Sequence, residues 1–343
     1  MIKITITHGE DLTDWDRYVE NHPEGSVFQT SAWRRVVQSA YGHQPIYLAA
    51  KRKDEICGVL PLFFMNSFLF GRLLATSPYA SSGAVCADDK KITELLTEKA
   101  IELARETKAE YLELKSTRIT NCDGLQRHSD YLNYRLNIEK PEMLWRERLK
   151  KDTREAIRRA ERTGVTAERG HHLLDPFYRV MAMNMRRLGT PVHLQLFYRT
   201  ILDQFGPDSE ILAVRWKSVV ISAVLLLRYR SEVVALSAAS LPEHLRLRPN
   251  NFLYWEAFKH AYSSGATSFD FGRSLAGSGQ AKFKESFGAE SHPIYYEYYL
   301  NGRKAIPRIH QENPRYRLAR AVWMRMPLFL TKWLGPHLIK NIP

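Results

Sequence analysis

The residue types best suited to chemistry occur together in one stretch, FDFGRSLAGSGQAKFKESFGAE, which covers residues 269–290. Its first part is a loop with the glycines Gly272, Gly277 and Gly279, and the lysines Lys282 and Lys284 follow. A Walker phosphate loop needs Gly-Lys-Ser/Thr at its end, but Ser278 occupies the lysine position. The dinucleotide fingerprint fails as well, because Lys282 stands where its third glycine is required. The stretch therefore needs an explanation other than a standard nucleotide site.

Acyl-transfer chemistry would use these residue types together. Asp270 and Arg273 flank the end of a predicted strand, which is where open α/β sheets bind ligands. Glycines allow backbone amides to approach a ligand closely, and Lys284 is placed to offer a cation to a developing oxyanion. The alternative is a glycine-rich turn with surface lysines, in which Phe283 and Phe287 anchor a short helix to the core.

A second group of cations lies on the helix predicted for residues 145–163. Arg154 and Arg158 are four residues apart and so share one helical face, from which two guanidinium groups could clamp a diphosphate or a carboxylate. An ordinary solvated linker helix with internal ion pairs is the alternative interpretation. The position of this helix at a predicted domain join favours a binding function, since clefts form at such joins.

Composition indicates a globular protein with anionic partners. The chain has 343 residues and a formal net charge of +13, which favours nucleic acid, phosphorylated glycans or an anionic membrane surface. Three scattered cysteines, Cys57, Cys86 and Cys122, argue against a disulfide framework and a cysteine zinc site, and the adjacent histidines 171 and 172 have no metal-ligand spacing around them. We therefore predict no metal site and a reducing, cytoplasmic compartment.

Neither a signal peptide nor a membrane span is expected. The N-terminus, MIKITITHGEDLTDW, alternates apolar and polar residues as a strand does and soon becomes acidic. The longest uncharged run, residues 56–71, is too short to cross a bilayer and includes Pro61. The C-terminal tail, residues 311–343, is basic and aromatic, so we expect it either to lie on a membrane surface or to pack on the protein's own core.

The two halves of the chain follow the same order of features, which predicts an internal repeat. Each half has an alternating strand, helical segments, paired strands, a helix and a final short strand, and Leu112 corresponds to Phe269 at an offset of 157. Helices interleaved with a central sheet predict an α/β fold. We predict domains at residues 1–143 and 144–310, with the active site in the second, and a tail at 311–343. A chance similarity between two α/β halves is the alternative.

The motifs together resemble a known family. The stretch at 269–290 is similar to the closing motif of the Fem family of peptidoglycan-bridge aminoacyltransferases, especially its exosortase-associated FemAB-like branch. LKKDTREAIRRAERTGV, RRLGTPVHLQLFY and FQTSAWRRVV resemble further segments of that family, so that the resemblance covers nearly the whole chain. It implies two tandem domains of the GCN5-related N-acyltransferase (GNAT) fold, each a mixed central sheet flanked by helices.

The resemblance also implies an activity and a site. Family members transfer an aminoacyl group, commonly from aminoacyl-tRNA, to an amine of a cell-wall precursor, and the lysine of the Phe283–Lys284 pair is the position associated with stabilising charge. We expect Lys284 to be catalytic. Substrate contacts are expected from Arg154, Arg158, Arg273, Gly277, Gly279 and Phe283.

Donor and acceptor remain open at the level of sequence. No cofactor is expected to be tightly bound, and the co-substrate is either aminoacyl-tRNA or acyl-CoA. LPEHLRLRPNN, residues 241–251, stands where GNAT enzymes carry a glycine-rich CoA pyrophosphate loop, and the helical hairpin of tRNA-dependent relatives is absent. The acceptor is expected to be a phosphate-bearing glycan or a lipid-linked precursor, with peripheral contact at the inner membrane face. The competing hypotheses are a non-catalytic basic module that binds phosphorylated glycan or nucleic acid, and a scaffold anchored to the membrane by the tail.

Overall fold

The structure, a computed structural model, describes residues 2–7, 12–306 and 314–342. The chain divides into two compact units, each assembled from separate segments. The first unit comprises Met1–Tyr131, Pro293–Ile309 and Lys340–Pro343, and the second comprises Leu132–His292 and His310–Ile339.

The strands of the described residues are, in chain order, β1 (Ile2–Thr7), β2 (Gln44–Arg52), β3 (Glu55–Ser67), β4 (Gly71–Thr76), β5 (Cys86–Ala87), β6 (Tyr111–Ser116), β7 (Gln126–His128), β8 (Tyr131–Asn137), β9 (Thr166–Arg169), β10 (Ser209–Trp216), β11 (Val219–Tyr229), β12 (Glu232–Ser240), β13 (Ser268–Leu275), β14 (Glu290–Pro293) and β15 (Tyr295–Leu300). The α-helices are α1 (Thr13–Asn21), α2 (Ser31–Tyr41), α3 (Lys90–Glu106), α4 (Pro141–Met143), α5 (Lys151–Arg162), α6 (Leu174–Leu188), α7 (Gln195–Phe205), α8 (Pro249–Ser263), α9 (Gly279–Glu285), α10 (Pro314–Arg325) and α11 (Leu328–Ile339).

Helix α2 begins and ends at residues that its sequence marks. Helix α2 starts after Thr30, whose hydroxyl oxygen accepts a hydrogen bond from the Trp33 amide, and it ends at Gly42 with φ of 72°. Its buried side chains recur at three- and four-residue spacing, as in Trp33, Val36 and Val37, so that one face packs on the sheet.

Each unit is built on a mixed sheet, and the two sheets have corresponding strand orders. The first runs β1-β2-β3-β4-β6-β15-β7, with β5 beside β3, and the second runs β9-β10-β11-β12-β13-β8-β14. In both, an antiparallel meander is followed by one parallel neighbour that comes after a long helix, α3 in the first unit and α8 in the second. This agreement confirms the predicted tandem α/β plan.

The unit boundaries differ from the predicted domains at 1–143 and 144–310. Strand β8 lies in the first predicted domain but pairs within the second sheet, and β15 lies in the second predicted domain but pairs with β6 and β7 in the first sheet. Each sheet thus has one strand at the same position supplied from the other half of the chain. Alternating sequences such as YLNYRLN fit either sheet, because the alternation specifies a face and not a partner.

The C-terminal helices pack on the second unit as part of its structure. Arg320 Nε donates a hydrogen bond of 3.0 Å to the Leu188 carbonyl, and Arg186 Nη1 donates one of 3.2 Å to the Met326 carbonyl. Trp323 is 8% exposed. Within the predicted tail at 311–343, residues 314–339 therefore pack on the second unit, where α10 and α11 contact α6. Within the described ranges we find no helix of the length and apolarity needed to cross a membrane.

Candidate active site

The second sheet divides at the parallel strand pair β12–β13. Strands β12 and β13 pair over three residues only, ending with Val234 opposite Asp270, although β12 continues to Ser240 and β13 to Leu275. Close to this point, a β-bulge leaves Leu236 without a register partner on β11. Beyond the last pair, the carboxyl ends of the two strands no longer bond to each other, and such an opening is the usual ligand position in an α/β sheet.

Lys284 lies beside this opening. Its side chain comes from α9, is 7% exposed, and its Nζ donates hydrogen bonds to the carbonyls of Gly272 at 2.7 Å and Arg273 at 3.2 Å. The Nζ also stands 5.4 Å from the ring centre of Tyr134. An ammonium group has three N–H donors, so these two carbonyls fix its position while using two of them.

Burial makes Lys284 unusually acidic. Loss of solvation lowers the pKa of its ammonium group to about 8, and the Asp270 carboxylate opposes this by raising the pKa. At neutral pH the group is therefore mostly a cation, held in a site with little water around it. Such a charge is worth more to a developing oxyanion than a solvated lysine would be.

Asp270 is the centre of a polar network at the last strand pair. It is 3% exposed, and it accepts hydrogen bonds from the Gly272 amide at 2.6 Å and from Asn133 Nδ2 at 2.8 Å. Arg135 Nε lies 3.5 Å from Asp270 Oδ2 and 3.2 Å from Glu232 Oε1. Burial, followed by the charge of Asp270, raises the pKa of Glu232. We read this network as the support that holds the β13 carbonyls in place for Lys284.

The glycines and Ser278 now have structural explanations. Gly272 and Gly277 both have φ of 71°, in the left-handed region that glycine adopts without strain. Ser278 is the N-cap of α9, because its hydroxyl oxygen accepts a hydrogen bond of 3.1 Å from the Ala281 amide. Gly279 is the first residue of α9, and a Cβ there would meet nothing within 4 Å. The stretch is a strand, turn and capped helix that present a lysine.

The two phenylalanines of α9 and the turn after it anchor this helix. Phe287 is fully buried, and Phe283 packs against it with ring centres 5.1 Å apart. Tyr254 of α8 contacts both rings, at 5.6 Å from Phe283 and 6.0 Å from Phe287. Phe287 is thus a core residue and Phe283 packs partly buried against the same core, as the alternative interpretation of these two residues had it.

The predicted arginine pair forms other contacts. Arg154 Nη1 donates to the backbone carbonyls of Leu149 at 2.7 Å and Trp145 at 3.1 Å, so it caps the π-helical turn before α5. Arg158 is exposed, with its guanidinium carbon 5.4 Å from the ring centre of Trp145. The two side chains thus have different local environments: Arg154 binds backbone carbonyls, whereas Arg158 lies over the Trp145 ring. The contacts of the described residues do not include the predicted shared clamp. Arg273 is exposed on β13 beside the carbonyls that hold Lys284.

Three residues of the network, Asn133, Tyr134 and Arg135, were not predicted from the sequence. They lie on β8, which comes from the first half of the chain. Asn133 and Arg135 are two residues apart in an alternating strand and therefore face the same side of the sheet. The alternation can be read from the sequence, but it does not indicate that β8 lies beside β13 in the sheet.

The connection from β12 to α8 contains no glycine and forms a 3₁₀ turn, Pro242–Leu247. Asn250, in the first turn of α8, accepts hydrogen bonds at Oδ1 from Ser222 Oγ at 3.2 Å and from Ser240 Oγ. Its side chain thus ties the helix start to β11 and β12. In the parts of the chain that the structure describes, no three His, Cys, Asp or Glu side chains converge as a metal site would require.

The corresponding strand pair in the first unit also ends after three residue pairs, but there a side chain bridges the two strands beyond the last pair. There, Ala75 of β4 and Glu113 of β6 form the last residue pair. Beyond it, the Lys115 amide donates a 2.9 Å hydrogen bond to Thr76 Oγ1, which bridges the two strands. Lys115 Nζ lies 3.4 Å from Glu113 Oε1, and both side chains are buried. When the two halves are aligned at the offset of 157, Glu113 corresponds to Asp270 and Lys115 corresponds to Gly272. The two copies therefore differ in residue type at the position of the candidate site.

Known proteins share this chain's sequence features and fold. Residues 147–285 match the family described as the acetyltransferase (GNAT) domain. A lipid II:glycine glycyltransferase of Staphylococcus saprophyticus is 26% identical over 220 residues, which are 57% of this chain and 52% of that protein. The chain thus spans about half the length of this curated relative.

Solved structures show the same fold over most of the chain. The crystal structure of FemX superposes with a TM-score of 0.69 at 18% identity, covering 92% of this chain and all 100% of that one. A tandem GNAT protein from the clavulanic acid biosynthesis pathway gives a TM-score of 0.58 at 8% identity, covering 89% of this chain and 100% of its own. Residues 147–285 thus match the GNAT acetyltransferase domain by sequence, and the fold of the chain is similar to the folds of FemX and of a tandem GNAT protein.

Proposed function

We propose that this protein transfers an aminoacyl group, or another acyl group, from an activated donor to an amine of a cell-envelope precursor. The observation that carries the proposal is the ammonium group of Lys284, fixed by the Gly272 and Arg273 carbonyls beside the opening between β12 and β13. A fixed cation at a strand opening suits a reaction in which negative charge develops on a carbonyl oxygen.

The reaction forms one bond and breaks another. The acceptor nitrogen attacks the carbonyl carbon of the donor, and the carbonyl oxygen becomes an oxyanion that the Lys284 ammonium stabilises. When the tetrahedral intermediate collapses, the C–O bond of an ester donor, or the C–S bond of a thioester, breaks. The nitrogen loses a proton and the leaving oxygen or sulfur gains one. Lys284 therefore acts as the electrostatic catalyst, while Arg273, Gly277, Gly279 and Phe283 border the substrate.

The name of the staphylococcal relative, a lipid II:glycine glycyltransferase, favours an aminoacyl donor and a lipid-linked acceptor. The glycine-free turn Pro242–Leu247 gives fewer close backbone approaches to a pyrophosphate than a glycine-rich loop would, which also favours an aminoacyl-tRNA ester over acyl-CoA. A lipid-linked acceptor would bring the protein to the inner face of the plasma membrane. Arg158 is retained as a phosphate contact, whereas the carbonyl contacts of Arg154 give that side chain a structural task.

The test is transfer by the purified protein. Aminoacyl-tRNA and acyl-CoA donors are each incubated with lipid II, with its soluble nucleotide precursor and with amino-sugar acceptors, and products are identified by mass. We expect an amide product with at least one aminoacyl donor. Salt-sensitive binding of phosphorylated glycan or RNA, with no product from any donor, would instead support a non-catalytic binding module.

Asp270 should set the pH dependence of this transfer. As pH rises through the Lys284 pKa of about 8, the ammonium form is lost and the rate should fall. Because the Asp270 carboxylate raises that pKa, Asp270→Asn should move the falling limb to lower pH. The rising limb, which reports deprotonation of the acceptor amine, should stay in place. The measurement is the pH profile of kcat for both proteins.

Glu285→Gln serves as the charge-matched control for this profile, since Glu285 is exposed and its recorded contact is with the Tyr134 hydroxyl, at 3.4 Å. Its falling limb should coincide with that of the unmodified protein. An Asp270→Asn profile with an unchanged or raised falling limb would remove Lys284 as the titrating group.

A further inference from the structure

The C-terminal helices carry exposed large apolar side chains in a segment whose charged residues are basic. On α10, Leu318 and Val322 are 67% and 53% exposed, and on α11, Phe329 and Trp333 are 69% and 65% exposed. Each pair is spaced by four residues, so each lies along one face of its helix. Among the described residues outside these helices, only Phe68 exposes a large apolar side chain to the same degree.

This face is exposed although the helices are already docked. The opposite sides of α10 and α11 are held by buried residues, including Trp323 and Thr331, and a Cβ on Gly335 would lie 3.1 Å from the Val192 backbone. Lys332 Nζ stands 5.1 Å from the ring centre of Tyr178 on α6. Because these contacts fix the rotation of both helices, their outer apolar side chains cannot turn into the core. The sequence had left packing and membrane-surface contact as alternatives, and the structure shows one face of each helix packed and the other exposed.

The charge carried by this segment is of one sign. Residues 314–342 contain six lysine and arginine residues and no aspartate or glutamate. The five of these whose side chains are described are exposed, namely Arg317, Arg320, Arg325, Lys332 and Lys340. Exposed Trp and Phe flanked by basic residues are typical of a helix lying in a membrane interface, where the rings enter the headgroup region and the cations meet anionic lipids. A second copy of the chain would instead bring like charges together across a symmetric contact.

We propose that the outer face of α10 and α11, formed by Leu318, Val322, Phe329 and Trp333, docks this protein on an anionic phospholipid surface. The helices lie on the bilayer and do not cross it. Their apolar side chains insert into the headgroup region, and their basic side chains favour anionic over neutral lipids. This surface is distinct from the Lys284 site and does not depend on the chemistry proposed there.

The test uses the whole chain and vesicles without substrate. Sedimentation with vesicles of phosphatidylglycerol and phosphatidylcholine is compared with vesicles of phosphatidylcholine alone, at low and high salt. We expect binding to the anionic vesicles that weakens with salt. The double variant Phe329→Ser, Trp333→Ser should weaken that binding at least tenfold. The matched control is Leu245→Ser, which changes a leucine that is 42% exposed on the Pro242–Leu247 turn.

Three outcomes would overturn the proposal. These are equal binding to neutral and anionic vesicles, a double variant that binds like the unmodified protein, and a dimer in sedimentation velocity that the double variant converts to a monomer. Because the substituted side chains are exposed, the circular dichroism and melting temperature should be unchanged. Transfer to a soluble acceptor amine is measured in parallel. If no protein transfers, the proposed activity fails while the lipid result stands.

Discussion

Lys284→Met should lower kcat for aminoacyl transfer by about 10²–10³-fold, the loss seen when one oxyanion donor is removed from an enzyme. Methionine keeps an unbranched apolar side chain in the buried position but removes the cation that the Gly272 and Arg273 carbonyls orient. Ground-state binding of the donor involves the oxyanion position little, so KM should change less than kcat. Initial rates over a range of donor concentrations separate the two parameters.

Lys282→Met is the matched control for this experiment. Lys282 lies on the same short helix, two residues before Lys284, but its side chain is exposed. The control should retain the unmodified rate and should show that neither the helix nor the overall positive charge accounts for the loss. Equal rates for Lys284→Met and the unmodified protein would contradict the catalytic assignment, provided that the circular dichroism spectra agree.

Phe287→Ala should destabilise the second unit by about 3–5 kcal/mol, the usual cost of truncating a buried phenylalanine to alanine. The ring is fully buried and lies within a cluster of aromatic residues, with ring centres 5.4 Å from Phe258 and 6.1 Å from Phe271. The cavity would also loosen α9, since Phe283 loses its 5.1 Å neighbour. We therefore expect a lower transfer rate in addition to a lower stability.

Urea unfolding measures the change in free energy, and hydrogen exchange at the amides of β13 and α9 localises it to the second unit. Phe287→Leu is the control, because a large apolar side chain refills most of the volume and should cost much less than the alanine variant. A change below 1 kcal/mol for Phe287→Ala would mean that the aromatic cluster does not anchor the lysine-bearing helix.

The sequence was sufficient for the tandem α/β plan because its signals are local. Alternation in strands such as YLELKS and three- to four-residue spacing in α3 report which faces are buried, and they do so without reference to partners. The order of these elements, repeated in the two halves, predicted two similar α/β domains, and the corresponding strand orders of the two sheets agree with that prediction. Lys284 could be singled out for the same reason, because its glycines, its helix cap and its phenylalanines are all within a few residues of it.

What the sequence could not indicate depended on contacts between distant segments. The arginine pair was predicted from helical spacing alone, but the direction of Arg154 is decided by the carbonyls at the end of the preceding π-helical turn. Asn133 and Arg135 meet Asp270 from 137 and 135 residues away, and no local pattern predicts such a meeting. The same holds for the C-terminal helices, whose amphipathic sequence left open which face would be covered.

The sequence by itself therefore determined the elements and their repetition, since these follow from residue type and spacing along the chain. It also marked Lys284 as the candidate catalytic lysine, through the resemblance of its stretch to the Fem family. The tertiary structure alone decided that β8 and β15 are exchanged between the two sheets, because strand pairing depends on which edges come together. It also decided the pKa of Lys284, which burial lowers to about 8 while the charge of Asp270 opposes this lowering. Neither the burial nor the neighbouring charge exists before the chain is folded.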